Sequence, residues 1–324
     1  MLSCFPLLPF FLFSISMSSS LSLHTRRTFL RTAWERTLAA GMLASLPVSL
    51  LNAAELNAAE QKSTKKPLYS CSSINFMSLS LEKACERIAE LGFDAIDIWG
   101  GLGCQHLKQV ADELKPEGLK TILEKNCLKL CGFSLYGVGY APYAKLLGQC
   151  GGGIAIHGSR RRGEGSVTED MKKYMDEIKP LLDLCEENNS FLAIENHGGG
   201  DLLNKMDTLK AFVDLNKSKR LGIALAPYHV MNNHESVAEA IRVCGSQLLF
   251  FYFWTNEKDE KQMPGMGQTD VSDWFRALDD IGYPCYLNPF MHHEPLPDRM
   301  SELHRTTRRY LDKTYESVAS AQRR

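Results

Sequence analysis

The sequence has no excess of charge of either sign, since 37 Lys and Arg side chains are balanced by 38 Asp and Glu, for a net charge of −1. A chain without a basic surface lacks the electrostatic footprint of a nucleic-acid binder, so we predict no nucleic-acid partner. With 44% apolar and 23% charged residues, the 324-residue chain has the composition of a globular protein, which excludes a disordered or collagen-like chain.

The sequence also has no Cys-X-X-Cys pair among its ten cysteines. A structural zinc or redox motif of that kind is therefore not predicted. Most of the nine cysteines after residue 60 lie in apolar runs, and we interpret them as small buried hydrophobic residues. The cysteines in question are Cys85, Cys127, Cys131, Cys185 and Cys244.

The first 60 residues are predicted to be a leader and linker, separate from a domain at 61–324. The pair Arg26-Arg27 precedes a weakly apolar stretch at 37–51 and small residues after it, which is the order of parts in a twin-arginine export signal. This stretch is too short and too weakly apolar for a membrane span. We therefore predict an exported, periplasmic or extracellular protein whose mature form has no stable membrane span. The uncharged residues 1–16 leave two alternatives, a start of translation at Met17 or a hydrophobic segment of unknown use.

Short β-type runs alternate with helical patterns from residue 61 onward, and no glycine-rich dinucleotide motif follows the first strand. Eight such alternations in about 260 residues favour a single-domain (β/α)₈ TIM barrel over a doubly wound sheet. The predicted strands are Leu68–Ser72, Phe93–Trp99, Leu128–Leu135, Gly153–His157, Phe191–Asn196, Leu221–Pro227, Leu248–Trp254 and Cys285–Phe290.

Four residues predict helix boundaries. Gly92 is expected to end the first helix of the domain, and Thr168 and Asp270 to cap the start of later ones. Pro180 should kink the helix that begins near Thr168. The loop 255–268 is either a mobile lid or an ordinary surface loop, and the C-terminal helix near 298–320 is a candidate homodimer interface.

The active site of such a barrel lies at the carboxyl ends of the strands, where this sequence places an acid and several histidines. Glu195 is the strongest candidate, because a carboxylate that ends an apolar strand is costly unless it is paired, protonated or bound to metal. Histidines at the same rim are candidates for proton transfer or ligand binding, although each could equally be structural. They are His157, His197, His229 and His292.

Other residues at the rim have two open interpretations each. Arg160, in a run of three arginines, could hold an anionic group of the substrate or lie in a solvated loop. The aromatic residues Trp99, Tyr252 and Trp254 could stack on a sugar or pack inside the barrel.

The chain resembles the xylose isomerase-like TIM barrels, a family of sugar phosphate isomerases and epimerases that is also similar to endonuclease IV. The matching segments are SLEKACERIAELGFDAIDIWGG, FLAIENHGG, LGIALAPYH and GQTDVSDWFRALDDIGY, and the likeness extends over about 67–315. The resemblance implies a small-molecule carbohydrate as substrate and proton transfer next to a carbonyl group.

The resemblance also implies a divalent metal held by four strand-end residues. Glu195 matches the first of these ligands. The other three positions are Ala226, Tyr252 and Phe290, or Asn288 for the last if the register is shifted. Glu195 is thus the only family ligand that survives, and the sequence predicts a largely degenerate metal site.

Three hypotheses follow. In the first, Glu195 is the base of a metal-independent isomerase, epimerase or keto-sugar lyase, with His229, which matches a substrate-contacting position, or His197 as the acid. In the second, Mn²⁺, Zn²⁺ or Mg²⁺ binds at a rearranged site formed by Glu195 with His157, His197 or His229. In the third, the barrel binds sugar without catalysing a reaction.

Overall fold

The structure is a computed structural model that describes residues 66–321. The predicted export signal, the alternative start at Met17 and the linker lie outside these residues. Eight strands form the centre of the fold, most of them apolar and buried on both faces, as expected for a parallel sheet covered by helices. They are β1 Ser70–Ser72, β2 Ala95–Gly100, β3 Lys129–Leu135, β4 Gly153–Gly158, β5 Ser190–Glu195, β6 Leu221–Leu225, β7 Leu248–Phe253 and β8 Leu287–Pro289.

The strands pair in chain order, and every pair is parallel. The first and last strands meet through a parallel bridge between Tyr69 and Leu287, and the Leu287 N–H donates to the Leu68 carbonyl at 2.9 Å. These contacts close the sheet into a (β/α)₈ barrel, so the predicted fold class is confirmed. All eight predicted strands are present, with ends that differ by up to two residues.

Helices lie between the strands and cover the barrel. They are α1 Leu81–Glu90, α2 His106–Gln109, α3 Lys115–Lys125, α4 Ala144–Gln149, α5 Val167–Glu177, α6 Lys179–Glu187, α7 Met206–Leu215, α8 Pro227–Asn232, α9 Val237–Cys244, α10 Ser272–Asp280 and α11 Pro297–Ala321. A π-helical segment, Val110–Leu114, joins α2 to α3, and short 3₁₀ turns lie at Ser73–Phe76, Ala141–Tyr143, Gly245–Gln247 and Asp259–Gln262. No helix within 66–321 is long and apolar enough to cross a membrane.

The predicted helix boundaries are confirmed in part. Gly92 follows the first helix with φ +77°, a conformation that favours glycine. The prediction of Thr168 as a cap is wrong, because Ser166 occupies that position and forms a capping box with Glu169. The Ser166 hydroxyl accepts from the Glu169 N–H at 3.3 Å, and the Ser166 N–H donates to the Glu169 carboxylate at 3.1 Å.

Two further boundaries differ from the predictions. Pro180 does not kink one helix but lies in the first turn of a second, α6, because α5 ends at Glu177. The Asp270 carboxylate accepts from the N–H of Ser272, the first residue of α10, at 2.9 Å, although Val271 occupies the cap position itself.

Cys85, Cys131, Cys185 and Cys244 are buried, as predicted. The prediction for Cys127 is wrong, because it is exposed and has φ +54° in the turn between α3 and β3. Asn126 precedes it and only Leu128, after it, is apolar, so Cys127 lies at the edge of the apolar run rather than inside it.

Candidate active site

Glu195 is the last residue of β5 and pairs with Gly158 of β4 and Ala224 of β6. It is 5% exposed, and its carboxylate accepts a hydrogen bond from the hydroxyl of Tyr136, the residue that follows β3. Burial is the main cause that raises the pKa of Glu195 to about 8, and the nearby Asp201 carboxylate raises it further, against the opposing effect of the Tyr136 hydroxyl. The carboxyl group therefore lies inside the barrel mouth and binds a proton near neutral pH.

The position of Tyr136 depends on a close backbone approach from β2. Gly101, which follows that strand, has φ +87°, and a Cβ atom there would lie 1.8 Å from the Tyr136 carbonyl oxygen. Only glycine permits this approach. The Tyr136 hydroxyl also lies 3.2 Å from the hydroxyl of Tyr252 on β7.

His229 lies in the short helix α8, directly after β6. Its Nδ1 accepts a hydrogen bond from the Gly198 N–H at 3.2 Å, and burial lowers the pKa of the imidazole to about 3. A neutral ring whose Nδ1 is an acceptor carries its proton on Nε2. This Nε2 is buried and has no hydrogen-bond partner among the described residues. His229 thus holds an unpaired N–H donor at the carboxyl end of the barrel.

Asn196 joins the segments that carry Glu195 and His229. Its side-chain amide donates to the Ala226 carbonyl at 3.1 Å, and its side-chain oxygen accepts from the Ala226 N–H at 2.6 Å. The two bonds join the end of β5 to the start of α8, so the acid and the imidazole are held on adjacent segments.

A series of ring contacts joins most of the predicted rim residues. The centroid distances are 5.5 Å for Trp99–Phe290, 5.3 Å for Phe290–Trp254, 5.5 Å for Trp254–His229 and 4.3 Å for His229–His197. Tyr252 joins this series by its contact with Phe290, at 5.0 Å. Trp99, Tyr252 and Trp254 are only 1–2% exposed, so in this state they pack inside the barrel, and a contact with sugar stays a prediction.

His157 and Arg160 have other partners. The Nδ1 of His157 forms a hydrogen bond with the Gly158 carbonyl. The Arg160 guanidinium donates to Glu177 at 2.9 Å and lies 3.5 Å from Asp170, which ties the loop after β4 to α5. The described contacts do not link either residue to Glu195 or His229, and their proposed binding roles stay predictions.

Side chains of the loop at 255–268 form hydrogen bonds with neighbouring segments and with the end of the loop itself. The Gln262 side-chain oxygen accepts from the Trp254 indole N–H at 2.8 Å and from the His292 N–H at 3.1 Å. The Glu257 carboxylate accepts from the N–H groups of Gln268 and Thr269. The loop therefore connects β7 to the segment after β8, and its movement as a lid stays a prediction.

Sequence reasoning missed three polar residues of the barrel. Asp97, fully buried on β2, accepts from the Ser72 hydroxyl at 2.8 Å, the Trp99 indole N–H at 2.6 Å and the Ser134 hydroxyl at 2.9 Å, and burial raises its pKa to about 7. Tyr136 is the second. The third, Asn75, follows β1 and is buried with no described partner for its amide. An acid within the apolar run of β2 was the available signal for Asp97.

The metal site implied by the resemblance can be compared with the donors present. Within 66–321, no group of three or more His, Cys, Asp or Glu side chains is placed to hold a metal ion. At the positions implied by the resemblance, the side chains of Ala226 and Phe290 offer no donor atom, and the Tyr252 hydroxyl is hydrogen-bonded to Tyr136. The amide of Asn288, the alternative to Phe290, is hydrogen-bonded to Ser70 and Ser72. The residues at these positions do not fit a divalent metal held in the family's manner.

The fold is a (β/α)₈ barrel with a buried acid, Glu195, at the carboxyl ends of its strands. The profile of the xylose isomerase-like TIM barrel family matches residues 85–312, and the chain belongs to this family. At the level of sequence, no curated protein matches the chain significantly.

Solved structures share the fold at low sequence identity. IolI, solved with a bound zinc atom, has a TM-score of 0.64 at 15% identity, over 78% of this chain and 99% of IolI. D-psicose 3-epimerase, solved in the presence of D-fructose, has a TM-score of 0.61 at 17% identity, over 76% and 99%. The 3-keto-D-glucoside 4-epimerase YcjR from E. coli has a TM-score of 0.60 at 16% identity, over 75% and 100%.

Proposed function

We propose that the protein is a sugar isomerase or epimerase that transfers a proton at a carbon next to a carbonyl group, with Glu195 as the base. The observation that carries the proposal is the buried Glu195 carboxyl, raised to a pKa of about 8 and hydrogen-bonded to Tyr136. A base needs a pKa near the working pH, so that it both accepts and returns a proton. The epimerases among the structural neighbours support the sugar as substrate class.

His229 supplies the second group of the proposed reaction. When Glu195 removes a proton, negative charge develops on the carbonyl oxygen of the substrate, and a fixed hydrogen-bond donor stabilises it. The unpaired Nε2–H of His229 is such a donor, and the Gly198 N–H holds it in this tautomer. His197, whose ring contacts His229 and is exposed, is the proposed proton source on the solvent side.

The proposed chemistry runs without a metal at the family position, because Ala226, Tyr252 and Phe290 provide no ligand set there. A metal at a rearranged site that includes Glu195 is the competing proposal, and IolI, with its zinc atom, is the neighbour that motivates it. Elemental analysis of the purified protein decides between the two. Stoichiometric Zn²⁺, Mn²⁺ or Mg²⁺, with loss of turnover in chelator, would replace the metal-free proposal.

Substrate must reach groups that are covered in this state. Glu195 and His229 are 5% and 6% exposed, whereas the nearby His197 and His292 are exposed. We propose that movement of these exposed rings, which lie against His229 and Trp254, admits the sugar.

The test is hydrogen exchange at carbon, which detects proton abstraction before the direction of the reaction is known. Ketoses, keto-glycosides and sugar acids are incubated with the protein in D₂O, and loss of C–H signals is followed by NMR. We expect exchange with at least one compound, its loss in Glu195→Gln, and no change in the surface control Glu187→Gln. Sugar binding without exchange across the panel supports a non-catalytic barrel instead.

A further inference from the structure

Tyr228 presents an aromatic ring at the surface of the barrel mouth. It lies in α8, directly before His229, and its side chain is half-buried. Its ring stacks on the ring of Trp254, with a centroid distance of 4.3 Å and an interplanar angle of 13°, and it meets the His229 ring edge-on at 5.1 Å. Within 66–321, no other ring contacts Tyr228. One face of Tyr228 is thus covered by an aromatic ring, whereas no ring lies against the other face.

The other aromatic residues of the mouth have little surface to offer a ligand. Tyr136 is half-buried, but its hydroxyl is directed inward, 3.2 Å from the hydroxyl of Tyr252. The remaining four are only 1–2% exposed, namely Trp99, Tyr252, Trp254 and Phe290. In this state, the ring that a ligand can contact directly is therefore that of Tyr228.

Trp254, the ring behind Tyr228, is fixed by contacts of its own. Its indole N–H donates to the Gln262 side-chain oxygen at 2.8 Å, and the rings of Phe290 and His292 meet it edge-on at 5.3 Å and 4.9 Å. A ring that is already packed loses little conformational entropy when a ligand binds to it. The exposed face of Tyr228 is thus preorganised for contact with a flat group.

We propose that Tyr228 forms a subsite that stacks on a ring outside the reacting sugar, so that the substrate is a glycoside with a second ring. The face of an aromatic ring is electron-rich and attracts the partly positive C–H hydrogens of a sugar ring or the edge of an aromatic ring. The second ring of the substrate is therefore a sugar or an aromatic group. This inference rests on the proposed function, because it adds a subsite next to Glu195 and His229.

Two positions at different depths require two rings. The reacting carbon must lie beside the Glu195 carboxyl group and Nε2 of His229, and these residues are only 5% and 6% exposed. A ring on the free face of Tyr228 lies outside these covered groups. Since the Tyr228 and His229 rings are in contact, the two positions are neighbours, and a ligand of two joined rings can occupy both.

The test measures binding without turnover. Isothermal titration calorimetry compares glycosides that share one sugar and differ in the group on the anomeric oxygen, which is methyl, 4-nitrophenyl or a second sugar. Glucosides, galactosides and xylosides form the series. We expect the protein to bind a two-ring member of at least one series about fivefold more tightly than the methyl member, the size of one aromatic contact. Tighter binding of the disaccharide identifies a sugar as the second ring, and tighter binding of the nitrophenyl compound identifies an aromatic group.

Substitutions of Tyr228 assign this preference to its ring. Tyr228→Leu keeps an apolar side chain against Trp254 but has no aromatic face, so the preference should disappear, whereas Tyr228→Phe should retain it. Tyr228→Ala replaces Tyr228→Leu if that variant does not fold. Tyr143→Leu is the matched control, because Tyr143 is also half-buried but has no described ring contact with Trp254 or His229, and the preference should be unchanged.

An undiminished preference in Tyr228→Leu would overturn the proposal, and so would the absence of any preference for two rings across all three series. The proposed function is tested separately, by hydrogen exchange at carbon. Exchange with sugars that shows no preference for a second ring rejects only this inference. Binding of two-ring glycosides that depends on Tyr228, but without exchange, rejects only the proposed function.

Discussion

Replacing Glu195 with Gln should make the folded protein more resistant to alkaline pH. The folded-state pKa of about 8 lies above the ordinary value of 4.5, so this carboxyl favours the folded state fully only below about pH 4.5. That stability is lost as the pH rises to about 8, at about 1.4 kcal/mol per pH unit. Between pH 5 and pH 9 the loss amounts to about 4 kcal/mol. Gln keeps the size and a hydrogen-bonding oxygen, but has no proton to lose.

Urea unfolding at pH 5, 7 and 9 measures this effect as the difference in unfolding free energy between variant and wild type. The contributions of other titrating groups are common to both proteins and cancel in the comparison, and Glu187→Gln, at an exposed side chain, is the matched control. We expect the stability of the Glu195→Gln protein, relative to wild type, to increase by several kcal/mol from pH 5 to pH 9. A change below about 1 kcal/mol would mean that Glu195 is ionised in the folded protein without penalty, and the argument for a buried base would fail.

Three further predictions concern the same region. Asn196→Ala should lower the unfolding free energy by about 2–3 kcal/mol in urea titrations, because it leaves the buried N–H and carbonyl of Ala226 without their side-chain partners. Gly101→Ala should lower the melting temperature in calorimetry by more than Gly92→Ala, since both have positive φ but only the first places a Cβ against a backbone carbonyl; equal losses would contradict this. The rate of hydrogen exchange at substrate carbon should rise about tenfold per pH unit up to about pH 8 and then level off, as the Glu195 carboxylate forms; a flat profile from pH 6 to pH 9 would exclude it as the base.

The barrel could be predicted from the sequence because its strands are short apolar runs at regular spacing. Apolar strands covered on both faces and amphipathic helices such as α1 have different periods, and the two alternate eight times. The exact ends of the strands could not be predicted, because the last paired residues of a short parallel strand depend on where the neighbouring strands end. The predicted eighth strand, Cys285–Phe290, is paired only over Leu287–Pro289.

The placement of Glu195, His197 and His229 at one rim could be predicted, because each lies at or just after the end of a strand, whereas their roles stay predictions. Which rim side chains meet could not be predicted, because successive residues of a strand point to opposite faces and loops redirect the residues after them. His157 and Arg160 therefore lie at predicted rim positions, but none of their described side-chain contacts is with the side chain of Glu195 or His229. Tyr136 was missed for the same reason, as its place depends on the approach of Gly101 from another loop.

Among the described residues, no cationic side chain holds the Glu195 carboxyl group in its ionised form. Its hydrogen-bond donor is the phenol of Tyr136, and the charge that acts on it most strongly is another carboxylate, Asp201. A metal ligand must be ionised at the working pH, whereas a general base must be able to hold the proton that it takes. Burial away from cationic side chains stabilises the protonated carboxyl, which is the property that the proposed role of Glu195 as a proton acceptor requires. The same physical cause therefore accounts for the raised pKa, the predicted alkaline instability and the choice of Glu195 as the base.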